Sequence, residues 1–238
     1  MKRIEAVLYS IVCVALLIPA LARADGLRVS PVTLAVTAPG AATTLTLRND
    51  GRDLKTVQAR VFRWTEHNGR ERMEVTNDVV VSPPMTQLRP GAEQTLRVVR
   101  TSTAPVRGEE AYRIYIDEVP DRTRLQAGQV AFVTRLRIPA FFTDPRATPP
   151  QVGFSLVRSG GTTFLEARNT GDVRLRLGNV RLTRGNNVIV RRDGLMGYAL
   201  GNSTMRWPVG AASQIGNANV NLAASTSLGT LNAPVSSR

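Results

Sequence analysis

The sequence predicts an all-β protein, built as a sandwich or a barrel. Apolar and polar residues alternate with a period of two through much of the chain, as expected of strands that bury one face. Short turn sequences rich in Gly, Pro and Asn separate these stretches. No segment keeps a helical period beyond two turns. Many short strands at this spacing are typical of β sandwiches and barrels.

The predicted strands can be followed along the chain in order. Alternation is clearest over residues 44–47, 57–61, 96–99, 113–119 and 175–182. Turn sequences occur at Pro39-Gly40, Asn49-Asp50-Gly51, Asn68-Gly69, Pro90-Gly91, Gly160-Gly161 and Gly185-Asn186-Asn187. Asn-Gly is the preferred dipeptide of a two-residue hairpin turn, so we predict a hairpin at Asn68-Gly69.

A short repeat divides the chain into two parts. Residues 45–51 (LTLRNDG) recur as residues 165–171 (LEARNTG), and each copy is a predicted strand that enters an Asn-x-Gly turn. Between the copies, residues 144–150 (DPRATPP) are proline-rich and lack a hydrophobic period, which is typical of a semi-rigid linker. We therefore predict two β domains, residues 25–145 and 146–238.

Residues 1–24 have the pattern of a secretory signal peptide. Lys2 and Arg3 precede an apolar run over residues 6–21, and Ala22-Arg23-Ala24 forms a small-residue cleavage site. We expect cleavage after Ala24 and export. Because the only cysteine lies inside this signal, the exported chain would have no disulfide, and its stability must come from apolar cores.

The chain is strongly basic. Its formal charge is +13, and removal of the signal takes away three cations and one anion, which leaves +11. Such a charge is compatible with nucleic acid or with an anionic surface. However, the arginines are scattered singly along alternating strands, so we interpret the charge as mostly solvated surface that helps to meet acidic partners.

The sequence offers little catalytic machinery. His67 is the only histidine and adjoins the predicted hairpin turn, so neither a Ser-His-Asp triad nor a histidine metal site has a second candidate. Two acidic pairs, Glu109-Glu110 and Asp117-Glu118, could in principle serve glycoside hydrolysis. Strand alternation sends the neighbours in each pair to opposite faces, which favours structural ion pairing. We expect no enzymatic activity, cofactor or metal.

Three motifs in the first half cover residues 82–97 (SPPMTQLRPGAEQTLR), 108–113 (GEEAYR) and 117–120 (DEVP). Together they resemble the periplasmic pilus-assembly chaperones, the PapD-like family of the chaperone-usher pathway. Ser30-Pro31-Val32 and Arg63-Trp64-Thr65 are most similar to the archaic branch of this family. The resemblance is fainter in the second half, where it rests on residues 165–171, 196–198, 201–204 and 206–207.

The resemblance implies two immunoglobulin-like sandwiches in an L-shaped arrangement and a role in pilus assembly. Such chaperones lend a G strand to subunits that lack their own last strand, and deliver them to an outer-membrane usher. Here the donor strand would be residues 125–133, with Val130 and Phe132 as the side chains that enter the subunit. Without the resemblance, we would instead expect both residues to face the protein's own core.

The resemblance also implies a cationic anchor for the subunit's C-terminal carboxylate. Arg137 matches the G-strand anchor, and a one-residue shift at Pro139 would give this role to Arg135. The family's second cation, on the first strand, corresponds here to Thr33, and we expect Arg28 or Arg135 to compensate. Without the resemblance, both G-strand arginines would be interpreted as a solvated strand face.

A buried ion pair between Arg97 and Glu110 is the remaining expectation from the resemblance, and Glu109→Ala is expected to have almost no effect on stability. The alternative function is a secreted two-domain structural or adhesive module of the same architecture, whose G strand would stay paired within its own sheet. The sequence does not identify the client subunit.

Overall fold

The computed structural model describes residues 26–120, 133–215 and 220–237. They form seventeen strands and one helical turn, α1 (Ala212–Ile215). The strands in the first half are β1 (Leu27–Ser30), β2 (Leu34–Thr37), β3 (Ala42–Asn49), β4 (Lys55–His67), β5 (Arg70–Val75), β6 (Val79–Ser82), β7 (Met85–Leu88), β8 (Glu93–Arg100), β9 (Glu109–Val119) and β10 (Arg135–Thr143). Those in the second half are β11 (Val152–Ser159), β12 (Thr162–Asn169), β13 (Leu175–Arg184), β14 (Asn187–Ala199), β15 (Ser203–Ala211), β16 (Val220–Thr226) and β17 (Gly229–Ser237).

Two sheets enclose the first core. One has the order β1-β3-β8-β6, and the other has the order β2-β10-β9-β4-β5 with β7 also paired to β4. All pairs are antiparallel except β10 with β2. Alternation explains the core, because Leu45 and Leu47 of β3 and Ile114 and Ile116 of β9 are buried at positions two residues apart.

The second half forms one continuous seven-stranded sheet in the order β14-β13-β16-β17-β11-β12-β15. Strand β17 pairs with β16 along its length but with β11 only at Ser155 and Leu156, and so links the two layers. A second buried cluster, which includes Leu165, Leu182 and Leu222, lies between these layers. The all-β prediction is confirmed. In the described residues, no helix is long and apolar enough to cross a membrane.

The hairpin predicted at Asn68-Gly69 and the repeated Asn-x-Gly turn are also confirmed in the structure. Asn68 and Gly69 join β4 to β5 with positive φ angles of 52° and 76°, the conformation that a two-residue hairpin turn requires. In the repeat, Asn49 and Asn169 are fully buried, and each side-chain oxygen accepts the N–H of the Gly two residues on. The same buried turn therefore ends a strand in each half. The proposed domain division, between residues 145 and 146, falls between β10 and β11 and stays a prediction.

The two halves meet at an aromatic cluster. Trp64 and Phe141 of the first half pack against Tyr198 and Leu200 of the second, with ring centroids 5.6 to 5.9 Å apart among the three aromatic residues. Because every ring in the cluster comes from a strand, the contact holds two rigid sheets rather than two loops.

Ionic contacts surround this cluster. Glu109 of β9 pairs with Arg174, whose guanidinium carbon lies 3.5 Å from the ring centroid of Phe141. The Glu109 side chain is buried, with only 2% exposed, and it is ion-paired, which contradicts the expectation of a nearly silent Glu109→Ala. Alternation sends Glu109 to the outer face of its sheet, and the second half covers that face at this position.

The expected Arg97–Glu110 pair is also wrong. Glu110 accepts two hydrogen bonds from Arg100, at 2.9 and 2.8 Å, whereas Arg97 is exposed. On β8, Arg97 belongs to the outer face, while Arg100 continues the inward face of Leu96 and Val98. The alternation of side chains along β8 therefore places Arg100, and not Arg97, on the inward face where it can pair with Glu110.

Candidate functional site

The candidate site is the outer face of the six-stranded sheet, beside the aromatic cluster. On β10, Arg135 and Arg137 are exposed, whereas Leu136 packs against the first core and Ile138 is buried in it. Because successive side chains point to opposite faces, β10 presents its arginines outward and its apolar residues inward.

Strand register extends this face across β9 and β4. Arg137 is paired with Tyr115, and Tyr115 with Arg60, so the three residues form one row across the sheet. In the adjacent row, Arg135 of β10 is paired with Asp117 of β9. We use the name basic face for the outward set formed by Arg60, Phe62, Arg113, Tyr115, Asp117, Arg135 and Arg137.

Asp117 is the acidic centre of the basic face. It accepts a hydrogen bond of 2.5 Å from Arg60 and another from Arg135. Burial alone would raise the pKa of Asp117, but these two arginines outweigh burial and hold the pKa below its usual value. The carboxyl group is therefore ionised at neutral pH, and it is shared between two cations.

Arg137 differs from its neighbours on the basic face. Among the described residues it has no acidic partner within ion-pair distance, whereas Arg60 and Arg135 both bind Asp117. Its guanidinium lies 5.2 Å from the ring centroid of Tyr115, and that of Arg135 lies 5.6 Å from the same ring. Tyr115 in turn stacks with Phe62 at 4.9 Å. The aromatic pair supports the guanidinium by cation–π attraction and leaves its N–H donors free to bind an anion.

Arg113 connects the basic face to the interface between the halves. Its guanidinium carbon lies 3.6 Å from the Trp64 ring centroid, and its Nη2 donates to Glu71 at 3.0 Å. The side chain is only 12% exposed. Arg113 is therefore committed to internal contacts, unlike the exposed Arg137.

Beside the basic face, β10 is only half paired. Strand β2 pairs with Ala140–Thr143 of β10, whereas residues 135–139 pair with β9 alone. No described strand covers the other side of residues 135–139. A sheet edge of this kind offers backbone N–H and C=O groups to an added strand, although Pro139 contributes no N–H.

The site residues expected from the sequence are distributed unevenly. Arg135 and Arg137 lie on the basic face, but Val130 and Phe132 lie outside the described residues. Arg28 belongs to β1 in the other sheet and pairs with Asp50 at 2.8 Å, so the expectation that it compensates for Thr33 is wrong.

Sequence reasoning missed Arg60, which joins the basic face through β4. Arg60 alternates with Phe62 and Trp64 along β4, so the sequence indicates that the three side chains share one face. The pairing of β4 with β9 could not be predicted from the local sequence. Within the part of the chain that the structure describes, no acidic or histidine cluster could hold a metal ion.

Comparison with protein families identifies this fold. A family model described as the pili and flagellar-assembly chaperone, PapD N-terminal domain, matches residues 26–148, which is more than half of the chain. The chain belongs to this family of assembly chaperones. The family match covers all ten strands of the first half, including those of the basic face. No curated protein sequence matches the chain.

Solved structures show that the chaperone fold extends to the second half. One similar structure is the CsuC–CsuE chaperone–tip adhesion subunit pre-assembly complex, from the archaic Csu pili of Acinetobacter baumannii. The match to one of its chains has 21% identity and a TM-score of 0.69, and it covers 90% of this chain and 99% of that chain. The E. coli chaperone DraB gives 20% identity, 88% and 98% coverage and a TM-score of 0.58. A chain of the Salmonella enterica SafA pilin–SafB chaperone complex gives 16% identity, 88% and 94% coverage and a TM-score of 0.59.

Proposed function

We propose that this assembly chaperone acts in the periplasm, where it binds and stabilises pilus subunits and delivers them to an outer-membrane usher. Family membership supports the general role. Two of the similar structures are complexes, one of a chaperone with a tip adhesion subunit and one of a chaperone with a pilin. The signal-like residues 1–24 favour export to that compartment.

The observation that carries the proposal is the half-paired β10. A subunit that lacks its last strand has an open groove, and an added strand would satisfy backbone groups on both partners. Each hydrogen bond gained at such an edge contributes roughly 0.5 to 1.5 kcal/mol net. An adhesive module with a closed sheet, the alternative function, would have no use for an edge at residues 135–139 that no described strand covers.

The donated side chains are Val130 and Phe132, in the donor strand 125–133. Their even-numbered positions have the parity of Leu136 and Ile138, which point toward the apolar side of the sheet. Each such side chain contributes about 1.5 to 3 kcal/mol when a client groove buries it fully. Strand alternation thus separates the apolar donor residues from the basic residues that follow them.

The subunit's C-terminal carboxylate binds Arg137, with Arg135 beside it on β10. Arg137 has the accessible guanidinium that such an anchor needs, with no acidic partner among the described residues, and a charge-assisted hydrogen bond to a carboxylate is among the stronger ones in proteins. The chaperone catalyses no reaction and needs no cofactor or metal. Clients leave by strand exchange at the usher rather than by nucleotide hydrolysis.

Co-expression with a candidate pilus subunit tests this function. We expect a complex of one chaperone with one subunit in periplasmic extract, and degradation of the subunit when the chaperone is absent. Size-exclusion chromatography with mass measurement establishes the stoichiometry. A panel of subunits that includes those encoded beside this gene, none of which is captured or protected, would contradict the proposal.

A further inference from the structure

The hairpin at one edge of the second half carries a concentration of cations that the client site does not use. Residues 175–199, which form β13, β14 and their turn, contain five arginines and one carboxylate side chain, a formal charge of +4. The arginines are Arg176, Arg181, Arg184, Arg191 and Arg192, and all five are exposed. They are spread along the sequence, but the antiparallel pairing of β13 with β14 brings them together. We call residues 175–199 the basic hairpin.

Few anions of the protein neutralise the basic hairpin. Arg191 pairs with Asp193 at 2.9 Å, and both side chains are mostly exposed. Among the described residues, no carboxylate lies within ion-pair distance of the other four arginines. Arg184 donates a hydrogen bond to the backbone carbonyl of Ile215, which carries no net charge. The basic hairpin therefore presents an excess of positive charge to solvent.

Two of these cations directly oppose each other. Arg181 of β13 is paired in register with Arg191 of β14. Leu182, the next residue along β13, is buried, so Arg181 points to the outer face of the sheet. Like charges at directly opposed positions destabilise a sheet, and Asp193 offsets this repulsion only in part. An external anion would relieve it.

Exposed apolar side chains lie among the arginines. Val188 and Leu195 of β14 are 56% and 53% exposed, and Leu228, in the turn after β16, is 66% exposed. This turn adjoins β13, because the N–H of Ser227 donates to the carbonyl oxygen of Arg176. Helices that lie in a bilayer interface use the same combination, in which cations meet the headgroup phosphates and apolar side chains enter the acyl boundary.

The arrangement of the arginines favours lipid headgroups over an acidic protein. Arg191 and Arg192 are adjacent on a strand, so their side chains point to opposite faces. Both are exposed, because β14 is the edge strand of its sheet. A rigid protein surface would meet only one of these faces, whereas mobile headgroups can surround a sheet edge and reach both. Arginine also matches the geometry of a phosphate group, which its planar guanidinium binds with two parallel hydrogen bonds.

We propose that the basic hairpin binds the surface of a bilayer that contains anionic phospholipids. Arg181, Arg191 and Arg192 contact the headgroup phosphates. Val188 and Leu195 enter the boundary between headgroups and acyl chains. This inference goes beyond the proposed function and does not depend on it.

The bilayer contact would lie away from the junction of the two halves. Tyr198, at the other end of β14, packs against the first half. Val188 precedes Tyr198 by ten residues on the same strand, which corresponds to about 33 Å of extended chain. The two ends of the basic hairpin therefore have different roles, one in joining the halves and one in binding lipid.

Vesicle co-sedimentation of the exported chain tests the inference. The probes are vesicles of phosphatidylcholine alone and vesicles of an equal mixture of phosphatidylcholine and phosphatidylglycerol. We expect binding to the anionic mixture only, and weaker binding as salt is raised, because salt screens the attraction. The triple variant Arg181→Gln/Arg191→Gln/Arg192→Gln should bind the anionic vesicles at least about tenfold more weakly, because each arginine near an anionic surface adds to the attraction.

A second triple variant is the matched control. Arg52→Gln/Arg89→Gln/Arg97→Gln removes three exposed arginines of the first half, and so changes the net charge equally. It should retain most of the binding. Thermal melting of each variant establishes that it is folded, and Arg181→Gln alone should melt at or above the wild-type temperature because it removes the opposed like charge.

The apolar contact has a separate test. Val188→Thr/Leu195→Thr keeps the charge and the β-branched shape at position 188, and it should reduce the part of the vesicle binding that persists at high salt. Unchanged binding at high salt would show that these two side chains do not enter the bilayer.

The remaining outcomes decide the inference. Wild type that binds neither kind of vesicle, or equal binding of the anionic vesicles by the wild type and the hairpin triple variant, overturns it. An equal loss in the two triple variants overturns the assignment to the basic hairpin. Wild type that ignores vesicles, with a hairpin triple variant that fails to capture a pilus subunit, would assign the basic hairpin to an acidic protein and overturn the lipid proposal.

Discussion

At the scale of single residues, the ion pair between Arg100 and Glu110 closes one end of the first core. Their side chains are 7% and 15% exposed, and the hydroxyl of Tyr112 donates a further hydrogen bond of 2.9 Å to Glu110. Burial alone would raise the pKa of Glu110, but the hydrogen bonds from Arg100 and Tyr112 lower it below the usual value. Both partners thus satisfy each other away from water.

Removal of one partner should destabilise the fold strongly. Glu110→Ala leaves the guanidinium of Arg100 buried without a counter-ion, and we expect a loss of about 3 to 5 kcal/mol in the free energy of unfolding. Arg97→Ala, an exposed arginine three residues from Arg100, is the matched control and should change the same quantity by less than about 0.5 kcal/mol. Urea unfolding of both variants measures the difference, and equal small losses would show that this pair does not stabilise the core.

At the scale of elements, the end of β4 is pinned to β15 and to the residues just before it. Oε2 of Glu66 accepts hydrogen bonds from the backbone N–H of Leu200, at 3.0 Å, and from the hydroxyl of Ser203, at 2.6 Å. Its other carboxyl oxygen is buried and has no hydrogen-bond partner among the described residues. Burial raises the pKa of Glu66 to about 7, against the lowering effect of the two hydrogen bonds. Nearby, Glu71 raises it further and Arg113 lowers it.

This pKa predicts a pH dependence of stability. Between the ordinary glutamate value of 4.5 and the folded value of about 7, the folded protein binds more protons at Glu66 than the unfolded chain does. Its contribution to stability is therefore present at low pH and is lost as pH rises through that window. We expect the free energy of unfolding of the wild type, relative to that of Glu66→Gln, to be about 2 kcal/mol higher at pH 5 than at pH 8.

Urea unfolding of both proteins at pH 5 and pH 8 measures this difference. The glutamine variant is the appropriate control because it keeps the shape of the side chain and cannot titrate. Identical pH dependence in the two proteins would show that Glu66 is not the titrating group.

At the scale of the whole molecule, the sequence predicted what depends on near neighbours and missed what depends on pairing. Alternation, the Asn68-Gly69 hairpin and the repeated Asn turns are local patterns, and the structure contains all of them. The contact between Arg60 and Asp117 joins strands 57 residues apart in sequence, so no local pattern indicates it. Arg100 is a different case, because strict parity along β8 would have selected it over Arg97.

In both halves of the chain, arginine is the residue type that makes the cationic contacts. Arginines carry nearly all of the positive charge, and on the basic face they stack on aromatic rings and bind carboxylates in ways that a lysine could not reproduce. The same residue type therefore serves the interface, through Arg113 and Arg174, and the site, through Arg60 and Arg137. The central claim remains that the segment before β10 lends apolar side chains to a client.

A pair of adjacent substitutions tests that claim most directly. Phe132→Asn should abolish capture of the co-expressed subunit, because it removes an apolar side chain worth about 1.5 to 3 kcal/mol and places an unpaired amide in the client groove. Val133→Asn, at the neighbouring position of opposite parity, should leave capture intact. Both variants keep the charge of the basic face unchanged. The measurement is pull-down of the subunit from periplasmic extract, together with thermal melting of each free variant. We expect both variants to melt like the wild type and only Phe132→Asn to lose the subunit; equal capture by the two variants, or unfolding of free Phe132→Asn, would contradict the donation of this strand.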